Sequence, residues 1–163
     1  MHKFPTILAL SLCCSISPSA FALDDACAPI VAASEARIKA PAWHTVSETS
    51  THFKVESIKA DGNYYSRVGD GKWNTSINID EAEQKMLAGI NTGGIKLTQC
   101  KDEGSEAIEG VTTRVLSYQI EIKDGPSASA RLNIGQADGL PYASTSNGNT
   151  THYAYTGVVA PKP

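Results

Sequence analysis

Between residues 110 and 144 the chain reads GVTTRVLSYQIEIKDGPSASARLNIGQADGLPYAS, and the alternation within it leaves few folds open. Leu116, Tyr118, Ile120 and Ile122 are apolar and interleave with Val115, Ser117, Gln119 and Glu121, the period-two pattern of a strand covered on one face. Asp124-Gly125-Pro126 stops the run, because glycine supplies positive φ and proline cannot donate to a ladder. A second alternation passes through Ala128, Ala130, Leu132 and Ile134 and ends at Asp138-Gly139 and Leu140-Pro141. Two such strands joined by a tight reversal predict an antiparallel sheet with one covered face.

The first residues read as a leader. His2 and Lys3 are followed by an apolar stretch over 7–16, and Ala20-Phe21-Ala22 has the small-x-small form of a cleavage site, so cleavage is expected before Leu23. The apolar run is about half of the roughly 20 residues a membrane helix needs, and no later segment is long and apolar enough to span. Cys13 and Cys14 lie inside the apolar run, and Leu12 is bulky where a lipid-attachment motif wants a small residue. The brevity of the leader suits a bacterial periplasmic or secreted protein. Residues 23–163 then have the length of a single domain. Overall 14 basic residues face 17 acidic ones, and loss of Lys3 makes the mature chain one unit more negative. With no basic cluster, nucleic acid is excluded as a natural partner.

Of the four cysteines, Cys27 and Cys100 remain after the leader. In an oxidising compartment an isolated pair forms one disulfide, whereas a metal site needs more ligands at closer spacing. Cys27, Ile30, Val31 and Ile38 fall near one helical stripe with Glu35 and Arg37 off it. Pro29 fits the first turn and Pro41 ends the element, predicting about three turns of helix. The disulfide would pin that helix to the sheet.

Residues 43–59 are rich in Thr, Val and Ile and predict two strands with a break near 49–51, Phe53 and Val55 pointing inward. Asp61-Gly62-Asn63 and Asp70-Gly71-Lys72 mark reversals around a short strand over 64–68. The segment 79–90, IDEAEQKMLAGI, carries acids early, a lysine later and a glycine near its end, which predicts a short helix burying Ile79, Met86, Leu87 and Ile90. A strand over 95–101 and a polar turn over 102–106 follow, and a last strand passes through Tyr153 and Tyr155.

Catalytic patterns are absent from the sequence. There is no GxSxG elbow, no HExxH and no phosphate loop, and the glycines sit in Asp-Gly and Asn-Gly turns. His44 and His52 lack the spacing of a metal pair, and Asp80 with Glu83 suits the start of a helix. No catalytic residue, metal or cofactor is expected.

The order of elements, with Gly71-Lys72-Trp73 before the short helix, the long hairpin and Asp138-Gly139-Leu140-Pro141, resembles the periplasmic lipoprotein-carrier superfamily, the LolA/LolB-like proteins, and related small secreted bacterial proteins of unknown role. The resemblance implies an α+β fold: a strongly curved antiparallel sheet, an incomplete barrel, covered by an N-terminal helix and a short central helix. It also implies an apolar cavity for a hydrophobic or lipid-like ligand, with Trp73, Met86 and Leu87 at a lid and Phe53, Leu116, Tyr118, Ile120, Leu132 and Ile134 on the concave face. The function expected is a non-enzymatic periplasmic binding protein. The alternative is an interaction module of the inhibitor or immunity type that binds another envelope protein, for which an exposed aromatic patch at Tyr142, Tyr153 and Tyr155 would speak.

Overall fold

The computed structural model describes residues 23–162, so the expected leader and its cleavage site lie outside the described residues. The described residues open with helix α1 (Ala28–Lys39), then strands β1 (Trp43–Glu48), β2 (Lys54–Ala60), β3 (Asn63–Val68) and β4 (Asn74–Thr75). Helix α2 (Ile79–Asn91) leads to β5 (Ile95–Ile108), β6 (Val111–Ile122), β7 (Ser127–Gly135), β8 (Pro141–Ser146) and β9 (Asn149–Ala154).

Among the described residues the strands form one nine-stranded antiparallel sheet in the order β4-β3-β2-β1-β9-β8-β7-β6-β5. Two meanders are thus joined side by side where β1 pairs with β9, Ser47 opposite Thr151 and His44 opposite Ala154. Local turn chemistry builds each meander. Asp61-Gly62 and Asn147-Gly148 have both residues at positive φ, the two-residue reversal whose twist matches a hairpin. The link between β4 and β5, at opposite edges, is α2.

The α+β class is as expected, with one antiparallel sheet and two helices among the described residues, but the strong curl is not. The sheet is open, with β4 and β5 as its edges, and it is neither closed nor strongly curled. Closure needs edge strands that can pair, and β4 has only 2 residues to offer.

The core lies between the helices and one sheet face, where Cys27 just before α1, Ile30 and Ala33 of α1 and Ile90 of α2 meet Leu97, Leu116, Leu132 and Ile134. Cys27 and Cys100 form a disulfide with Cα atoms 5.3 Å apart. It ties the start of α1 to β5 at an irregularity between Thr98 and Lys101, where Gln99 has φ 53°.

Two local expectations are corrected. The stretch 102–106 is strand, not turn: β5 runs on to Ile108, and the reversal falls at Glu109-Gly110, both at positive φ. Its acids are engaged across the sheet, Asp102 with Arg114 of β6 and Glu106 with Arg131 of β7, so a polar composition here marks two wet faces. Phe53 lies before β2 begins, in the β1–β2 turn, where its carbonyl accepts from the Thr49 amide at 3.0 Å. It is 51% exposed, far from the inward position its hydrophobicity suggests.

Candidate functional site

A cavity of about 170 Å³ lies between the two helices and the sheet. Its roof comes from helical spacing. Ile30, Val31, Ser34 and Arg37 project from α1, and Glu83, Met86, Leu87 and Ile90 fall at i, i+3, i+4 and i+7 on α2. Its floor comes from strand alternation: Leu97, Tyr118, Ile120 and Leu132, with Ser144 and Tyr153 on the strands beyond.

One end of the cavity is polar. Arg37, with a side chain only 5% exposed, reaches Glu83 Oε2 at 3.1 Å and Asp80 Oδ1 at 3.3 Å. Asp80 Oδ2 also accepts from Lys59 Nζ at 2.7 Å and from the Tyr64 hydroxyl at 2.8 Å. Trp43, fully buried, lies under the Arg37 guanidinium at 5.1 Å. This network fixes α1, α2 and the first meander relative to one another. The sequence reading missed it twice, placing Arg37 off the buried stripe and Asp80 among the acids that suit the start of a helix. The cap is Asn78, whose side chain accepts from the Glu81 amide. The overlooked signal was the i, i+3, i+4, i+7 spacing of Ile30, Ala33, Ser34 and Arg37, which already put Arg37 on the buried face.

Of the residues expected at a ligand site, Met86, Leu87, Tyr118, Ile120 and Leu132 share the cavity wall. Leu116 and Ile134 belong to the packed core beside it. Phe53 and Trp73 are elsewhere. Trp73 covers the face of the sheet away from the helices, its ring 4.7 Å from the Arg67 guanidinium and edge-on to His44. Beneath it the buried Glu56 accepts from Arg67 at 2.8 Å, and from His44 and Lys54 at 3.0 Å each. Burial would raise the Glu56 carboxyl, but these three donors outweigh it and hold the group below its ordinary range. His52 is bonded instead to Glu48 in the exposed turn. The two histidines therefore serve different carboxylates, and among the described residues no cluster of three metal-ligating side chains exists.

The three tyrosines considered as an exposed patch are half-buried and engaged: Tyr153 with Ser144, Tyr155 with the Pro141 carbonyl and Tyr142 with Asp138. Burial pushes Tyr118 up to about 12, and burial together with a carboxylate partner does the same to Tyr64 and Tyr142. A phenol raised from its usual value near 10 supports the fold while it is protonated. That support is complete below pH 10 and fades as pH climbs to about 12. Absorbance at the phenolate band should therefore show Tyr64, Tyr118 and Tyr142 ionising late and together with loss of structure. A native protein whose six tyrosines all titrate near 10 would contradict this placement.

No protein-family profile matches the chain, and no curated protein matches it in sequence. Solved structures do share its architecture. LprF from Mycobacterium bovis superposes with a TM-score of 0.56 at 12% identity, over 85% of this chain and 97% of LprF. MucB gives 0.53 at 16% identity over 83% of this chain. This is the LolA-like fold. The chain spans 60% of the length of MucB, and MucB in complex with MucA(peri) superposes with a TM-score of 0.50 at 17% identity. Within the LolA-like fold, the helix-covered sheet face is where this chain leaves its cavity.

Proposed function

We propose that the chain is an extracytoplasmic, non-enzymatic binding protein for a hydrophobic or lipidic ligand held between α1, α2 and the sheet. The cavity of about 170 Å³ carries the reading. A dry apolar cavity of about 150 Å³ is known to accept a benzene-sized guest, so this one suits a stretch of acyl chain. Each methylene withdrawn from water contributes about 0.8 kcal/mol, against the cost of ordering the ligand and moving α2. Met86, Leu87, Tyr118, Ile120 and Leu132 are the proposed contacts. The disulfide and the expected leader support an oxidising compartment outside the cytoplasm.

Native mass spectrometry of the mature protein purified from its own envelope, followed by organic extraction, should reveal a stoichiometric lipid. Val31→Phe, which sends a phenyl ring into the cavity, should weaken uptake of a dodecyl probe at least tenfold, while overpacking lowers stability by about 1–3 kcal/mol. Unchanged uptake in that variant would exclude this cavity as the site.

The second reading, a protein-interaction module, draws on the unpaired outer edge of β5, exposed along 101–107. The complex of MucB with MucA(peri) supports it by analogy of fold. A second protein retained through purification, with no lipid, is the outcome that favours it.

A further inference from the structure

Strand register lays a second surface beside the cavity, meeting its wall at Ser144. On the helix-covered face, Ser66 stands opposite Ser57, and Ser57 opposite Thr45. In the next row Ser47 stands opposite Thr151, and Thr151 opposite Ser144. That these are on the cavity's face follows from alternation: Thr45 and Ser47 share the parity of Trp43, and Ser57 that of Lys59, whose ammonium reaches Asp80. Ser144 lines the cavity itself and bonds Tyr153, another wall residue, at 3.2 Å. The row from Ser47 to Ser144 crosses two strand spacings, about 10 Å, and leads from open sheet into the apolar space. All six side chains are half-buried, and Ser47 bonds Thr151 at 2.9 Å, which leaves each hydroxyl with further capacity.

A solvent-facing sheet surface ordinarily carries charges among its hydroxyls. The same strands do carry them, on the other face, where Glu48, Lys54, Glu56 and Arg67 lie. The two hydroxyl rows contain no charged residue. The charged groups that border the cavity are already matched, Arg37 and Lys59 against Asp80 and Glu83. Among the described residues, an anionic head group entering here would meet only Arg37 and Lys59, each with a carboxylate already on it, and would lose its hydration for little return. An uncharged polyol meets donors and acceptors in rows.

We infer that the hydroxyl rows form a head-group subsite, continuous with the cavity, for an uncharged hydroxyl-bearing head such as a glycerol or a sugar. This rests on the cavity reading above and narrows its ligand to neutral, hydroxylated amphiphiles.

Monododecanoylglycerol and dodecyl phosphate share a tail and differ in head charge, so their affinities for the full mature protein, measured calorimetrically below micellar concentrations, test it. The glycerol ester should bind at least tenfold tighter. Combining Ser47→Ala with Thr151→Val should weaken the ester about tenfold, as expected for two lost neutral hydrogen bonds, and leave binding of dodecyl phosphate and the unfolding midpoint essentially unchanged. Equal or tighter binding of the phosphate, or full ester affinity in the double variant, overturns the subsite and leaves the cavity reading standing. Failure of both probes to bind overturns both.

Discussion

Asp80→Ala lowers the free energy of unfolding by about 3–5 kcal/mol, the range for breaking a buried ion pair from one side. The Asp80 side chain is 4% exposed and takes a hydrogen bond from Lys59 at 2.7 Å and one from Tyr64 at 2.8 Å, with Arg37 at 3.3 Å. Removing it leaves the Arg37 guanidinium, itself only 5% exposed, with Glu83 alone, and strands the Lys59 ammonium against the Ile38 carbonyl. Buried charge without a counter-charge is more damaging than the pair was beneficial, which is why the expected loss is large. Asp80→Asn separates charge from shape: it keeps the side-chain volume, and most of the loss should remain. Urea unfolding with an unchanged slope measures both variants. A loss of less than about 1 kcal/mol in Asp80→Ala would mean that the network is solvated and does not hold the helices.

Removal of the disulfide through Cys27→Ala with Cys100→Ala comes next in size, at about 2–5 kcal/mol. The bridge closes a loop with a sequence separation of 73 and joins the N-cap of α1 to the far edge strand of the sheet. In the chain-entropy account a loop of that length is worth about 4 kcal/mol through the unfolded state. Cys27 is fully buried in the core, so part of the loss is packing. The unfolding midpoint should fall by about 10 °C, and the oxidised parent should resist thiol labelling until reduced. Two thiols that label without reductant would refute the bridge.

These two features hold the cavity roof from opposite ends, and they differ in how far the sequence revealed them. The disulfide was legible because compartment and cysteine count leave one simple pairing. The Asp80 network was not, because a charged residue reads as solvated until tertiary structure supplies its partners, and those partners come from α1, β2 and β3. Trp73 and Phe53 illustrate the same limit. Hydrophobicity says that a side chain prefers cover, but on a sheet whose opposite face is also partly covered it does not say which side. Trp73 found its cover on Arg67, away from the helices.

The sequence by itself determined the elements whose cause is local. Alternation over 114–134, paired glycine turns such as Asp61-Gly62 and Asn147-Gly148, and the acids, cap and apolar spacing of α2 are all written within a few residues of where they act. Only the tertiary structure decided that β1 pairs with β9, that the sheet stays open, and that Met86 and Leu87 face Tyr118, Ile120 and Leu132 across a cavity. The reason is physical. Strand neighbours and cavity walls are chosen by burial and register summed over distant segments, and no short window of sequence contains that sum.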